Sequence, residues 1–234
     1  MHVIGADGCR GGWISASSDG VTVKLGFYGS LGELVADNPA ADRIAVDIPM
    51  GLTQNKPRRC DMEARKLLGE RRGSVFPAPD RRVLAAFAEG ALSHQKISSL
   101  SKTLTGKGIS IQTYNILDKI AEADALLTPP LQGFVSEVHP ELLFLALAGH
   151  PMRHAKKKPE GFAERLELLK RYFPAFPVQS RSQARRMVAS AQPDDVLDAA
   201  AAAASALRMV GGSAVRIPEA PEIDPRGLRM EMSF

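Results

Sequence analysis

Two short apolar runs near the start of the chain each end in an aspartate. Residues 3–6 precede Asp7 and residues 44–46 precede Asp47, and glycine or proline follows each acid within two positions. The β-branched residues of these runs favour strands, and the glycine and proline residues end them. The carboxyl ends of neighbouring parallel strands lie at one edge of an open sheet, where ligands bind. We therefore expect Asp7 and Asp47 to lie close together.

The remaining pattern predicts an α/β fold. Alternating residues within 13–28 indicate two more strands, which form an antiparallel meander with the first. A later apolar run ends in Glu137 and indicates another parallel strand, while residues 57–130 carry mainly helical periodicity. We predict one domain over residues 1–234, with a five-stranded mixed sheet flanked by helices and a helical insertion at about 57–130.

A late alanine-rich helix carries three more aspartates. It begins near Pro193 and contains Asp194, Asp195 and Asp198. Alanine favours helix and allows close packing on a sheet. Asp195 and Asp198 are three residues apart and share one helix face. Aspartates in a first turn also cap helix amides, and we expect Asp194 to be the capping residue.

The exit from the Glu137 strand holds a second group of polar residues. Glu137 is a catalytic candidate, while Glu141 begins the next helix after Pro140 and His139 lies between them. One histidine does not make a zinc site. We therefore expect His139 and Glu141 to orient the neighbouring acids by hydrogen bonds.

Acids that converge in this way require a cation. Two carboxylates about 4 Å apart repel each other by roughly 1 to 4 kcal/mol, depending on the effective dielectric. Such a cluster persists only if a cation neutralises it or protons are taken up. Oxygen donors suit Mg²⁺ or Mn²⁺, and we expect Asp7, Asp47 and Asp198 to be the metal ligands. Glu137 and Asp195 are further catalytic candidates.

Charge and composition indicate the partners and the compartment. The net charge of +4 is a mild bias toward anionic partners. The chain has two cysteines without metal-ligand spacing, no apolar run that could span a bilayer and no signal peptide, so we expect a cytoplasmic protein without membrane contact. The candidates for binding phosphate are Arg58, Arg59, Lys119 and Lys157. The alternative for these cations is an ordinary solvated helix face.

A series of short motifs, spread in order over nearly the whole chain, resembles the family called domain of unknown function 429. The motifs are residues 5–13, 46–51, 58–61, 74–77, 137–141, 194–199 and 227–228. That family is viewed as predicted nucleases with a ribonuclease H-like fold. The resemblance therefore implies this fold and a metal-dependent cleavage of phosphodiester bonds.

The resemblance also implies roles for individual acids. Nucleases of this fold carry one aspartate on the first strand, one acid on a neighbouring strand and one or two on a late helix. Asp7 and Asp198 resemble the first and the last of these, and either Asp47 or Glu137 resembles the second. The implied mechanism uses two metal ions, the implied partner is DNA or RNA, and a homodimer is left open.

Two other classes of function stay open. One is a catalytically silent module of the same fold that binds nucleic acid or protein. The other is a kinase-like or ATPase-like protein, since Asp7, Gly8 and the glycines that follow resemble a phosphate-binding turn. The chain has no second glycine-rich turn before its late helix, which disfavours the kinase-like or ATPase-like class.

Overall fold

The computed structural model describes residues 1–90, 92–188 and 190–234. The strands in these ranges are β1 (Val3–Cys9), β2 (Gly12–Ser18), β3 (Val23–Tyr28), β4 (Arg43–Asp47), β5 (Val135–Glu137), β6 (Arg216–Ile223) and β7 (Arg229–Ser233). The α-helices in these ranges are α1 (Leu31–Asp37), α2 (Arg59–Leu68), α3 (Arg81–Glu89), α4 (His94–Thr105), α5 (Ile111–Tyr114), α6 (Leu117–Leu126), α7 (Pro140–Ala148), α8 (Pro159–Tyr172), α9 (Arg181–Met187) and α10 (Pro193–Val210).

The first five strands form one mixed sheet in the order β3-β2-β1-β4-β5. β1, β2 and β3 are an antiparallel meander, while β4 and β5 run parallel to β1. The turn between β1 and β2 depends on Gly11, whose φ of 81° lies in the left-handed region that glycine adopts without strain. This architecture confirms the predicted α/β class and is consistent with a ribonuclease H-like fold.

Helices cover both faces of the sheet. On one face α10 packs against β1, β2 and β4, and the buried core there includes Val3 and Ala45. On the other face the core includes Ile4 and Val46 together with buried side chains of α1, α3 and α6. Side chains alternate along a strand, so Asp7 and Asp47 belong to the α10 face.

The contact between α10 and β1 is unusually close. A Cβ atom built on Gly5 would lie 2.0 Å from the amide nitrogen of Ala203 and 2.2 Å from the carbonyl oxygen of Ala199. Only a glycine on the strand and small side chains on the helix permit this approach, because any larger group would hold the two backbones apart. The contact brings the first turns of α10 next to the carboxyl end of β1.

Several elements differ in extent from the sequence prediction. β5 has three residues, and α2 to α6 fill the connection between β4 and β5. The last two strands pair with each other in a separate two-stranded sheet, and a bridge between Val138 and Ser233 connects it to the end of β5. No helix in the described part of the chain is long and apolar enough to cross a membrane.

Candidate active site

Asp7 and Asp47 lie side by side at the carboxyl ends of two central strands. They are direct partners in the parallel register of β1 and β4, so their side chains leave the sheet on the same face. Asp7 is buried, and Asp47 is partly buried. The structure therefore brings together the two strand-end acids that the sequence pattern predicted to meet.

The first turns of α10 add acids from the helix above this face. Asp198 is buried, and Asp195 is partly buried. Asp195 also closes a capping box, because its carboxylate accepts a hydrogen bond of 2.8 Å from the Gln192 backbone N–H. The expectation that Asp194 caps this helix is wrong; Asp194 is buried and its carboxylate lies 3.9 Å from the ammonium of Lys156.

Lys156 carries the one ammonium group that the described structure shows in contact with the carboxylates of α10. Its Nζ donates to Oδ2 of Asp198, and its side chain is 38% exposed. Burial alone would lower the pKa of Lys156, but the surrounding carboxylates, with Asp198 first, raise it well above the ordinary value. The lysine is therefore charged and balances part of the negative charge of the cluster. The sequence analysis named the neighbouring Lys157 as a phosphate-binding candidate and did not predict this role for Lys156.

The pKa values of Asp7, Asp47, Asp195 and Asp198 are displaced upward. Burial is the main cause for Asp7, whose pKa is raised well above the ordinary value, and the negative charges of Asp47 and Asp198 add to it. Burial also raises the pKa of Asp47 to about 6 and that of Asp195 to about 6. Burial raises the pKa of Asp198 too, against the opposing effect of Lys156. Burial, with repulsion from neighbouring carboxylates adding to it, thus disfavours the charged forms of these four acids.

Glu141, at the start of α7, belongs to the same cleft. It is buried, and Arg165 of α8 donates to its Oε1 from Nε at 2.9 Å. Its other oxygen, Oε2, is buried without a hydrogen-bond partner in the described structure. The charge of Glu141 contributes to the raised pKa values of both Asp47 and Asp198. One carboxylate oxygen is thus fixed by an arginine while the other is unused.

Glu137 does not join the carboxylates of Asp7 and Asp47. It is in register with Val46, one residue before Asp47, so its side chain belongs to the opposite face of the sheet. There it forms a bidentate ion pair with the buried Arg58, at 2.6 and 2.8 Å, and accepts 2.6 Å from the Met50 backbone N–H. Arg58 also donates to Asp61 at 2.6 Å. Arg58 and Glu137 therefore neutralise each other in the interior, and both also line the cleft that Asp7 and Asp47 line.

Among the described residues, one group brings three potential metal ligands close together, and this group includes Glu137 of the ion pair. Ligand atoms of Cys60, Asp61 and Glu137 all lie within 4.8 Å of one another. Arg58 already neutralises the two carboxylates, and burial raises the pKa of the Cys60 thiol. A thiol in that state is a poor ligand, so we assign this group a structural role. The carboxylate oxygens of Asp7, Asp47 and Asp198 do not all lie within 4.8 Å of one another.

A cleft of about 520 Å³ joins these groups. It is lined by all four acids Asp7, Asp47, Asp195 and Asp198, and Glu137, His139 and Glu141 reach it as well. We call this space the carboxylate cleft. His139 directs Nε2 to the Ser74 carbonyl at 3.3 Å, and its Nδ1 is buried without a partner among the described residues. Its proximity lowers the pKa of Asp47 against the effect of burial.

The predicted phosphate-binding cations have different positions. Lys157 is exposed and Lys119 is partly buried, and both line the cleft. The Lys119 ammonium lies 4.9 Å from the Trp13 ring centre and 3.4 Å from Glu122, so a carboxylate already partners it. Arg59 pairs with Glu63 at 2.8 Å on the surface and does not line the cleft. Arg71, from the same basic stretch of the sequence as Arg58 and Arg59, also lines the cleft.

Fold and site together define an α/β protein with a mixed five-stranded sheet and an acidic cleft at the carboxyl ends of its central strands. The model of the family described as "Protein of unknown function (DUF429)" matches residues 5–223, and the chain belongs to this family. Neither the curated proteins nor the solved structures contain a significant match to the chain.

Proposed function

We propose that the protein is a metal-dependent nuclease that hydrolyses phosphodiester bonds of nucleic acid in the carboxylate cleft. The observation that carries the proposal is the convergence of Asp7, Asp47 and Asp198, from two adjacent strands and one helix, with pKa values raised by burial and mutual repulsion. Raised pKa values of this kind, in a cleft, are a common feature of functional sites.

The chemistry of the donors fits Mg²⁺ or Mn²⁺. The groups in the cleft are carboxylate oxygens, which these ions prefer. Asp7, Asp47 and Asp198 are the residues that would hold the metal, and the unused Oε2 of Glu141 is a further oxygen donor beside them. Lys156 contacts Asp198 with a positive charge, as a bound cation would. An ion bound in such a site activates water and stabilises the leaving oxygen of a phosphodiester.

The other residues of the cleft supply position and charge. The capping hydrogen bond from the Gln192 backbone N–H holds the Asp195 carboxylate in place at the start of α10, where Asp195 lines the cleft. Arg165 orients Glu141, and His139 lies beside Asp47. Lys157 is exposed at the cleft and is available to the phosphates of a substrate.

A cleavage panel tests the proposal. The purified protein is incubated with labelled single-stranded, duplex and branched DNA and RNA, in Mg²⁺, in Mn²⁺ and in EDTA. We expect cleavage only with metal, and we expect Asp7→Asn and Asp198→Asn to reduce it to background. Asp37→Asn is the matched control, because Asp37 is an exposed acid outside the cleft. Absence of cleavage in every combination, or cleavage that survives Asp7→Asn, would refute the proposal.

A further inference from the structure

An aromatic side chain is exposed at the edge of the carboxylate cleft. Phe76 lines the cleft and is 39% exposed. Exposure of a single aromatic ring is common, but the place of Phe76 in the lining of the cleft puts its ring where a ligand of the carboxylates would lie. The nuclease proposal makes no use of Phe76.

The backbone around Phe76 is held rigidly. Val75, next to it, is buried, and Arg65 donates to the Val75 carbonyl at 2.7 Å. On the other side the Ala78 N–H donates to the Asp61 carboxylate at 3.0 Å. Pro77 limits the backbone further. The ring is therefore presented from a fixed segment, which lowers the entropy cost of stacking a ligand on it.

Cationic groups accompany the ring in the lining of the cleft. Arg71 lines it, and its buried Nε has no hydrogen-bond partner among the described residues. Lys157 adds a second positive charge, and Glu70 lines the cleft as well. An aromatic ring and cations in the lining of one cleft are the combination that proteins use to hold a base and its phosphate.

We propose that Phe76 stacks on an unpaired base, with Arg71 on an adjacent phosphate, so that the cleft takes single-stranded nucleic acid. A ring stacks on the face of a base only where that base is not already stacked within a duplex. The acids that the nuclease proposal assigns to the metal lie largely buried in the same cleft, so a strand must enter it. This inference rests on the proposed function for the identity of the ligand and adds its substrate class.

Binding is measured separately from cleavage. Fluorescence anisotropy follows a short labelled oligonucleotide, single-stranded or in a duplex of the same sequence, in Ca²⁺ in place of Mg²⁺. We expect tighter binding of the single strand. We expect Phe76→Ala to weaken it by about 10- to 100-fold, as stacking on one base implies, and Phe76→Tyr to retain it.

Phe27→Ala is the matched control. Phe27 is an exposed phenylalanine on β3, with 43% of its surface accessible, and it does not line the cleft. We expect this variant to bind as the wild type does. Melting temperatures check that the variants are folded; because both rings are exposed, we expect both variants to melt close to the wild type.

The outcomes separate this inference from the nuclease proposal. Binding of a single strand that depends on Phe76, without any metal-dependent cleavage, supports the stacking role and refutes the nuclease. Cleavage with wild-type affinity in Phe76→Ala supports the nuclease and overturns the stacking role. Preferred binding of duplex also overturns it. If no oligonucleotide binds, the stacking role fails, and the cleavage panel alone decides the nuclease proposal.

Discussion

Asp7 and Asp47 show, at the scale of single residues, how buried acids can oppose stability. Both are direct register partners, and both have raised pKa values, caused first by burial. A raised carboxyl pKa means that the folded protein binds protons more tightly than the unfolded chain does. The stabilising effect of that proton is complete below the unfolded pKa and is lost as the pH rises through the folded pKa.

The first prediction follows from the direction of this pKa shift. Asp47 has a pKa of about 6 against an ordinary value of 3.8, so its effect on stability is lost between about pH 4 and pH 7. We expect Asp47→Asn to raise the free energy of unfolding by about 2 to 3 kcal/mol at pH 7.5 in EDTA, with the gain vanishing near pH 4. Denaturant unfolding across this range measures it, with Asp37→Asn as the control. A loss of stability at pH 7.5 would mean that the carboxylate is a structural acceptor.

Lys156 gives the second prediction at this scale. Its ammonium contacts Asp198, so Lys156→Met keeps the apolar stem but removes the compensating charge. Breaking a fully buried pair costs about 3 to 5 kcal/mol, and the partial exposure of Lys156 reduces this to about 1 to 2 kcal/mol. We expect that loss in EDTA at neutral pH. Lys158→Met, which changes an exposed neighbour, is the control. Equal stability of the two variants would contradict the role given to Lys156.

Residue-level chemistry could be predicted only in part. Asp7 and Asp47 were found because each ends an apolar run. Glu137 ends a similar run, but the register of β5 turns it to the other face, and register depends on strand pairing that one sequence does not show. Lys156 lies in a loop before α8, and nothing in a run of three lysines indicates which one turns inward.

At the scale of elements, α10 and β1 form the pair that sets the site. The helix carries Asp195 and Asp198, and the strand carries Asp7. Their backbones are in contact at Gly5, so the positions of these acids depend on a residue without a side chain at this point of the strand. The alanine-rich sequence predicted close packing of the helix, but the partner residue could be identified only from the folded chain.

The third prediction tests this contact. A methyl group on Gly5 would lie 2.0 Å from the Ala203 nitrogen, so α10 must move away from β1. We expect Gly5→Ala to lower the free energy of unfolding by about 3 kcal/mol or more, at the upper end of the cost of overpacking. Gly8→Ala, in the same strand, is the control, because its nearest contact would be 3.5 Å, to the Lys119 side chain. Similar melting temperatures for the two variants would show that α10 adapts without cost.

The helix cap shows the limit of element-level prediction. The sequence placed Asp194 at the cap, since it comes first, yet Asp195 makes the capping bond and Asp194 turns toward Lys156. Helix boundaries shift by one or two residues between a pattern and a structure, and a shift of one residue rotates every side chain by about 100°. A cap can therefore be expected from sequence without being assigned to one residue.

At the scale of the whole molecule, the sheet order was predictable and the position of the compensating cation was not. Turn residues and apolar runs define a meander followed by parallel strands, which the structure confirms. The convergence of acids from two strands and the late helix was expected from the pattern, but the net charge of +4 does not reveal that Lys156 contacts Asp198 there. That contact joins a loop and a helix 42 residues apart in sequence, and it appears only when the chain is folded.

The last prediction joins metal, protons and stability. An ion that binds only the folded chain stabilises it by about 2.7 kcal/mol at a hundred times its dissociation constant, which is roughly 5 to 10 °C in a chain of this size. We expect excess Mn²⁺ or Mg²⁺ to raise the melting temperature at pH 7.5. The effect should shrink toward pH 5, because the raised pKa values let protons compete for the same carboxylates. Asp7→Asn should lose the effect, and Asp37→Asn should keep it. If neither ion changes the melting temperature at any pH, the carboxylate cleft does not bind Mg²⁺ or Mn²⁺, and the acids have another role.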